Sequence, residues 1–236
     1  MEMPELDLNV RDVHVWTASL DSVRSPGRPA DLLSPDELAK AGRFRAERDR
    51  RRFIVCRGVL RSLLSRYLGD PPESLEFRYG PSGKPALGLG SGKPDLHFNV
   101  SHCGGRALYA VALSREVGID VECLRADIPA DDIAARFFSA HETAAIGALP
   151  AADRRRAFFR LWTRKEAFLK AQGHGLSGSL GDFAVSCGPD ARLVWTVPEP
   201  SEASRWRLED ICDGADHAAA VAAAGTDWVL RRWEWQ

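Results

Sequence analysis

Ser139-Ala140-His141-Glu142 reads as the start of a helix, and it is the second start of its kind in the chain. A serine followed three residues later by glutamate is a capping box, in which the two side chains satisfy the free amides of the first turn. Ser34-Pro35-Asp36-Glu37 carries the same box 105 positions earlier, with proline at the first helical position. A long amphipathic helix follows each box. The first is expected from about Arg48 to Leu68, where Phe53, Cys56, Leu60, Leu63, Leu64 and Tyr67 recur at helical steps before Gly69-Asp70-Pro71-Pro72. The second is expected from Arg155 to Gln172, ended by Gly173-His174-Gly175. Strand patterns flank them: Val13–Trp16, Leu75–Tyr79 and Ala107–Leu113 in the first half, then Val117–Glu122, Phe183–Ser186, Leu193–Val197, Ala218–Ala222 and Trp228–Trp233. This order predicts a duplicated α+β unit with a boundary near residue 117. Two packed halves, 1–117 and 118–236, leave a cleft for a ligand.

The chain has 236 residues, ample for a buried core. Its 32 Lys and Arg against 33 Asp and Glu leave a net charge of −1, which gives no reason to expect nucleic acid or a membrane as a partner. There is no apolar run of membrane-spanning length and no signal-peptide pattern, so a cytoplasmic protein is expected. The five cysteines, Cys56, Cys103, Cys123, Cys187 and Cys212, show no CxxC or Cys/His metal spacing, and reduced thiols are expected.

Four stretches carry residue types suited to chemistry. In Gly118-Ile119-Asp120-Val121-Glu122 the strand period puts Asp120 and Glu122 on one face. The pair is either a solvated strand edge or a site for a hard cation, Mg²⁺ or Mn²⁺, that relieves their repulsion. Glu166 and Lys170, in Trp162 to Lys170, share a helix face and read either as a surface ion pair or as a metal ligand beside a phosphate-binding ammonium. Phe98-Asn99-Val100-Ser101-His102-Cys103-Gly104-Gly105 reads as a strand end running into a small-residue turn that bears a hydroxyl and an imidazole. Lys40 to Arg66 is strongly basic, either a solvated helix face with arginines fit for phosphate or an RNA-binding surface without its usual aromatics. Gly80-Pro81-Ser82-Gly83-Lys84-Pro85 presents one lysine on a turn, and Gly88 to Lys93 fails the spacing of a P-loop.

In order and spacing, Gly83-Lys84-Pro85, Phe98 to His102, Gly118 to Glu122, Phe137-Phe138-Ser139 with Glu142, and Trp162 to Lys170 resemble the Sfp-type 4′-phosphopantetheinyl transferases, over roughly Ser34 to Gly178. The resemblance implies two half-domains related by a pseudo-twofold axis, an active site between them, and coenzyme A bound by the first half. It implies Asp120, Glu122 and Glu166 as Mg²⁺ ligands, and Lys170, His102, Ser101 and the turn Gly83-Lys84-Pro85 as contacts to coenzyme A. Arg52, with Lys40 and Arg43 behind it, would hold the 3′-phosphate. The general base stays open between Glu166, Glu142, whose place in the capping box also explains it, and a metal-bound water. The partner would be an apo acyl or peptidyl carrier protein of polyketide, nonribosomal peptide or fatty acid biosynthesis, met by a monomer. Arg154, Arg155 and Arg156, with Lys165 or Arg164, begin the helix of Glu166 and Lys170 and read either as a solvated helix start or as a surface that orients that acidic carrier. Two departures stand out: Cys103 replaces a frequent serine, and a glycine-rich insertion places Lys93 where it could compete with Lys84.

Overall fold

The computed structural model describes residues 7–22, 28–80, 83–88, 94–173, 180–211 and 214–236. The capping boxes open α1 (Pro35–Ala41) and α4 (Ala140–Gly147). Each is followed by a helix of 22 residues, α2 (Glu47–Leu68) and α5 (Ala151–Gln172). Both helices end on a left-handed glycine, Gly69 at φ 73° and Gly173 at φ 76°, a backbone state that is free of Cβ strain only for glycine. α5 begins ahead of Arg155 because Ala151-Ala152-Asp153 adds good helix formers and an acid in the first turn. His174, Gly175 and Lys93 lie outside the described residues.

The likeness between the halves continues into the core. The capping glutamates Glu37 and Glu142 are both buried. Glu37 pairs with Arg57 and Arg61, with Arg61 Nε 2.6 Å from Oε2, and Glu142 pairs with Lys165 at 3.0 Å. Arg61 and Lys165 stand 104 positions apart. Two arginines of the basic stretch are therefore core groups, not part of a solvated face. Their burial is tolerable because each charge meets its counter-ion.

β1 (Asp12–Ser19), β4 (Leu96–Cys103), β5 (Arg106–Leu113) and β11 (Val229–Trp235) form one sheet in the order β11-β1-β5-β4. β6 (Val117–Cys123), β9 (Trp206–Asp210) and β10 (His217–Ala224) form a second, β6-β10-β9. β2 (Phe77–Tyr79) pairs with β3 (Pro85–Leu87), and β7 (Phe183–Val185) with β8 (Leu193–Thr196). Leu60, Leu63 and Leu64 of α2 pack on Trp16, Phe98 and Tyr109 of the first sheet. The opposite face of that sheet, with Val15, Leu108 and Ala110, meets Ile119, Val121 and Val221 of the second. The outer face of the second sheet, with Ala220 and Ala222, packs on Leu161 and Phe168 of α5. The fold is mixed α+β, layered helix, sheet, sheet, helix. β11 runs parallel to β1, so the last strand returns to the first sheet.

Some elements carried no clear local signal. α3 (Ala130–Phe137) and β9 were not expected. Leu75 and Glu76 stay outside β2 because Pro72–Ser74 forms a 3₁₀ turn just before them. The expectation of reduced thiols is corrected at one pair: Cys103 and Cys123 form a disulfide, their Cα atoms 5.9 Å apart. β4 and β6 run side by side and bring the two sulfurs together across a separation of 20 residues, which no cysteine-spacing rule registers. Cys56 and Cys187 are free, and Cys212 lies outside the described residues.

Candidate active site

The site is built where α5 crosses β6. At Gly118 an added Cβ would sit 2.1 Å from the carbonyl oxygen of Ala167 and 2.3 Å from the nitrogen of Ala171, so helix and strand backbones touch there. A glycine inside a strand often marks such an approach. Side chains two apart share a strand face, so Asp120 also turns toward α5, where Glu166 and Lys170 recur at a helical step. Lys170 Nζ lies 2.6 Å from Asp120 Oδ1 and 3.0 Å from Ser101 Oγ. The Ser101 hydroxyl donates to the same Asp120 oxygen at 2.9 Å.

The acids repel one another. Burial pushes the Glu122 carboxyl up to about 7, helped by the charges of Asp120 and Glu166 and opposed by Lys170. Burial, with Asp120, pushes Glu166 up to about 7 as well. Asp120 Oδ2 and Glu166 Oε1 are buried with no hydrogen-bond partner among the described residues. Buried carboxylate oxygens without donors are costly, and a cation removes that cost. Among the described residues no group of three or more His, Cys, Asp or Glu is gathered closely enough to hold a metal ion as it stands. The donor chemistry is hard oxygen, which fits Mg²⁺ or Mn²⁺.

Ser101 and His102 belong to β4 itself, correcting the turn expected there; the turn is Gly104-Gly105, with Gly104 at φ 57°. The His102 side chain opens to solvent. Crowding around the ring, then the positive charges of Lys170 and Lys40, holds its pKa below the ordinary range. The Lys40 ammonium stands over the Phe53 ring at 5.6 Å. Arg43 follows α1, its amide bonded to the Lys40 carbonyl. Arg52 reaches the other side of the Gly104-Gly105 turn and makes a two-pronged pair with Asp21, at 2.9 and 2.6 Å.

Gly83 and Pro85 shape the turn that carries Lys84. Lys84 Nζ donates to the carbonyls of Val117 at 3.2 Å and Ala171 at 3.1 Å, joining the β2–β3 hairpin to β6 and the end of α5. Burial brings its pKa down to about 8. Glu142 stands apart from the carboxylates. Its Oε1 accepts from Val185 N–H at 2.9 Å and its Oε2 from Ser139 N–H at 2.9 Å, with Lys165 at 3.0 Å. Glu37 likewise accepts from Ser34 N–H and pairs with Arg57 and Arg61, so the capping box accounts for a buried glutamate at both places. The expected carrier cluster is corrected at Arg164 and Lys165 only; Arg155 and Arg156 are exposed. Arg164 and Lys165 are fully buried, Arg164 on Asp210 and Lys165 on the carbonyls of Leu180 and Phe183. Arg154 binds the carbonyls of Gly147 and Leu149, and Arg156 that of Ala215. Alternation along α5 could not show which cations face inward, because their counter-groups come from segments far along the chain.

A cleft of about 540 Å³ opens beside this constellation, lined by Ser19, Asp21, Gly105, Arg106, His217 and Trp235 among others. It abuts the site through Gly105 and Asp21 and does not enclose the carboxylates.

Two family models match consecutive parts of the chain: "4'-phosphopantetheinyl transferase, N-terminal" over residues 16–114 and "4'-phosphopantetheinyl transferase superfamily" over residues 116–222. The chain is 39% identical to the 4'-phosphopantetheinyl transferase HetI of Nostoc sp. over 98% of its own length and 96% of the relative's. It is 30% identical to the 4'-phosphopantetheinyl transferase Sfp of Bacillus subtilis over 84% of each chain. An L-aminoadipate-semialdehyde dehydrogenase-phosphopantetheinyl transferase of Xenopus laevis is 27% identical over 84% of this chain and 70% of its own. With matches that cover nearly all of its length, the chain belongs to the 4′-phosphopantetheinyl transferase superfamily.

Proposed function

We infer that the protein transfers the 4′-phosphopantetheine arm of coenzyme A to a serine of an apo acyl or peptidyl carrier protein, releasing adenosine 3′,5′-bisphosphate, and that it does so with Mg²⁺. Beyond the family, the observation that carries the metal reading is the pair of buried, unpartnered oxygens Asp120 Oδ2 and Glu166 Oε1 beside Lys170. Asp120, Glu122 and Glu166 would hold the ion, which supplies charge neutralisation across the pyrophosphate when bound.

The chain's own residues do the rest. Lys170 and His102 are fixed donors for the phosphate oxygens, and Ser101 keeps Lys170 and Asp120 in register. Glu166, or a water beside the ion, would take the proton of the attacking serine hydroxyl. The first half, 1–117, contributes Lys40, Arg43, Arg52 and the turn of Lys84 to coenzyme A, and the second, 118–236, the carboxylates. Among the described residues no helix is long and apolar enough to cross a membrane.

The deciding experiment incubates the protein with coenzyme A, Mg²⁺ and a panel of apo carrier proteins, read by intact mass. One phosphopantetheine should appear on the carrier serine and vanish with a chelator. Nucleotide breakdown that needs no carrier would replace this reading with a phosphohydrolase.

Arg52 gives a second test. If it holds the 3′-phosphate, Asp21 is the group that occupies it beforehand. Arg52→Ala should raise the KM for coenzyme A about tenfold, the scale of a charge-assisted hydrogen bond. The KM for dephospho-coenzyme A should change little. Equal losses on both substrates would remove Arg52 from the phosphate site.

The raised carboxyls predict a pH dependence. The folded state keeps protons on Glu122 and Glu166 up to about 7, against an ordinary 4.5, so it binds more protons than the unfolded chain across that window. Stability of the metal-free protein should therefore fall as pH rises from about 4.5 through 7. A cation competes with those protons, so the gain in thermal midpoint from Mg²⁺ should be small at about pH 6 and larger at about pH 8. Scanning fluorimetry with and without Mg²⁺ measures both trends. A Mg²⁺ effect independent of pH would contradict the carboxylate assignment.

A further inference from the structure

β4 and β6 are edge strands of different sheets, and among the described residues no strand pairing joins them. They nevertheless lie side by side with a constant offset. Ile119 N–H donates to Asn99 Oδ1 at 2.9 Å, Val121 N–H to Ser101 Oγ at 3.4 Å, and Cys123 N–H to Cys103 Sγ at 3.0 Å. Alternate side chains of β4 thus take the place of a partner strand for alternate amides of β6. The other edge of β6 pairs with β10 in the ordinary way. Of the three rungs, Ser101 is shared with Asp120 and Lys170, and Cys103 is bonded to Cys123. Asn99 is 4% exposed. An amide side chain in a buried strand is costly unless both its ends are used, and here its oxygen serves the residue just before Asp120.

We propose that Asn99 is a positioning residue: its side-chain carbonyl, by holding Ile119 N–H, sets the register of the carboxylate strand against the strand that carries Ser101 and His102. The proposal rests on the reading of Asp120, Glu122 and Glu166 as Mg²⁺ ligands. Without the rung, Ile119 N–H is a buried orphan, and β6 relaxes toward water or another acceptor. Asp120, one residue on, then leaves the position where Ser101 and Lys170 orient it. Residues that orient metal ligands from behind commonly change metal affinity by about 10- to 100-fold.

The test uses Asn99→Leu, close in shape and without an acceptor, and Asn99→Asp, which keeps the acceptor. Mg²⁺ affinity is measured by calorimetry without coenzyme A, the exchange rate of the Ile119 amide by hydrogen exchange, and the KM for coenzyme A at saturating Mg²⁺. Asn99→Leu should weaken Mg²⁺ at least about tenfold, speed Ile119 exchange, and leave the KM for coenzyme A within about twofold. Asn99→Asp should restore both Mg²⁺ affinity and slow exchange. Should Asn99→Leu fail to fold, Asn99→Ala is read in its place. A purely structural Asn99 would lower the thermal midpoint while the folded variant kept wild-type Mg²⁺ affinity, and that result overturns the proposal alone. Wild-type protein that binds no Mg²⁺ overturns it through the ligand assignment on which it rests.

Discussion

Asp120→Ala should reduce the kcat/KM for phosphopantetheine transfer by at least about 100-fold while the protein still folds, because it removes part of a metal's several kcal/mol of charge stabilisation. Asp120 is 3% exposed, and its two oxygens have separate uses. Oδ1 receives Lys170 and Ser101, and Oδ2 has no partner among the described residues. Alanine therefore deletes a ligand and also frees Lys170 from the contact that aims it. The fold should tolerate the loss, since removing Asp120 also relieves its repulsion of Glu122 and Glu166. Both carboxyls should then titrate lower than in the wild type. Steady-state kinetics at saturating Mg²⁺ and coenzyme A, with a thermal melt as the folding control, decide it. Near-normal turnover would remove Asp120 from the metal site.

Gly118→Ala should be strongly damaging. Its Cβ would meet the Ala167 oxygen at 2.1 Å, the Ala171 nitrogen at 2.3 Å and the Ala171 Cα at 2.9 Å. All three are backbone atoms of α5, so no side chain can swing aside. α5 must lift from β6, and overpacking of this kind typically costs about 1–3 kcal/mol, occasionally more. For a chain of this size that is a fall in thermal midpoint of roughly 3–10 °C. Activity should fall further than stability, because the displaced helix carries Glu166 and Lys170 while the strand carries Asp120 and Glu122. A variant with wild-type midpoint and turnover would mean that the contact at Gly118 does not set the site. By contrast Gly69→Ala, where nothing lies within 4 Å, would only strain a left-handed residue at the end of α2.

Local patterns made much of this legible. The two capping boxes, the long helices behind them and the glycine stops depend on neighbours within a turn or two. The same-face placement of Asp120 with Glu122, and of Glu166 with Lys170, follows from the periods of strand and helix. α3 and β9 escaped because short elements with mixed patterns owe their state to what packs on them. Ser101 and His102 read as part of a turn because the glycines after them punctuate strongly. β5 in fact pairs with β4 as far as Cys103 opposite Arg106.

By itself, then, the sequence determined the element order, the repeat of capped helix and long helix, and the pairs of charges that share a face, since each is a short-range consequence of backbone geometry. Only the tertiary structure decided what those charges meet. Arg61 and Lys165 turn inward to the capping glutamates, and Lys84 is held by the carbonyls of Val117 and Ala171. Cys103 finds Cys123, and Asn99 finds the amide of Ile119. Each of these is a meeting between segments distant in the chain, where desolvation makes every buried polar group take whatever partner the packing of layers brings to it. Spacing along a single strand or helix carries no record of that choice.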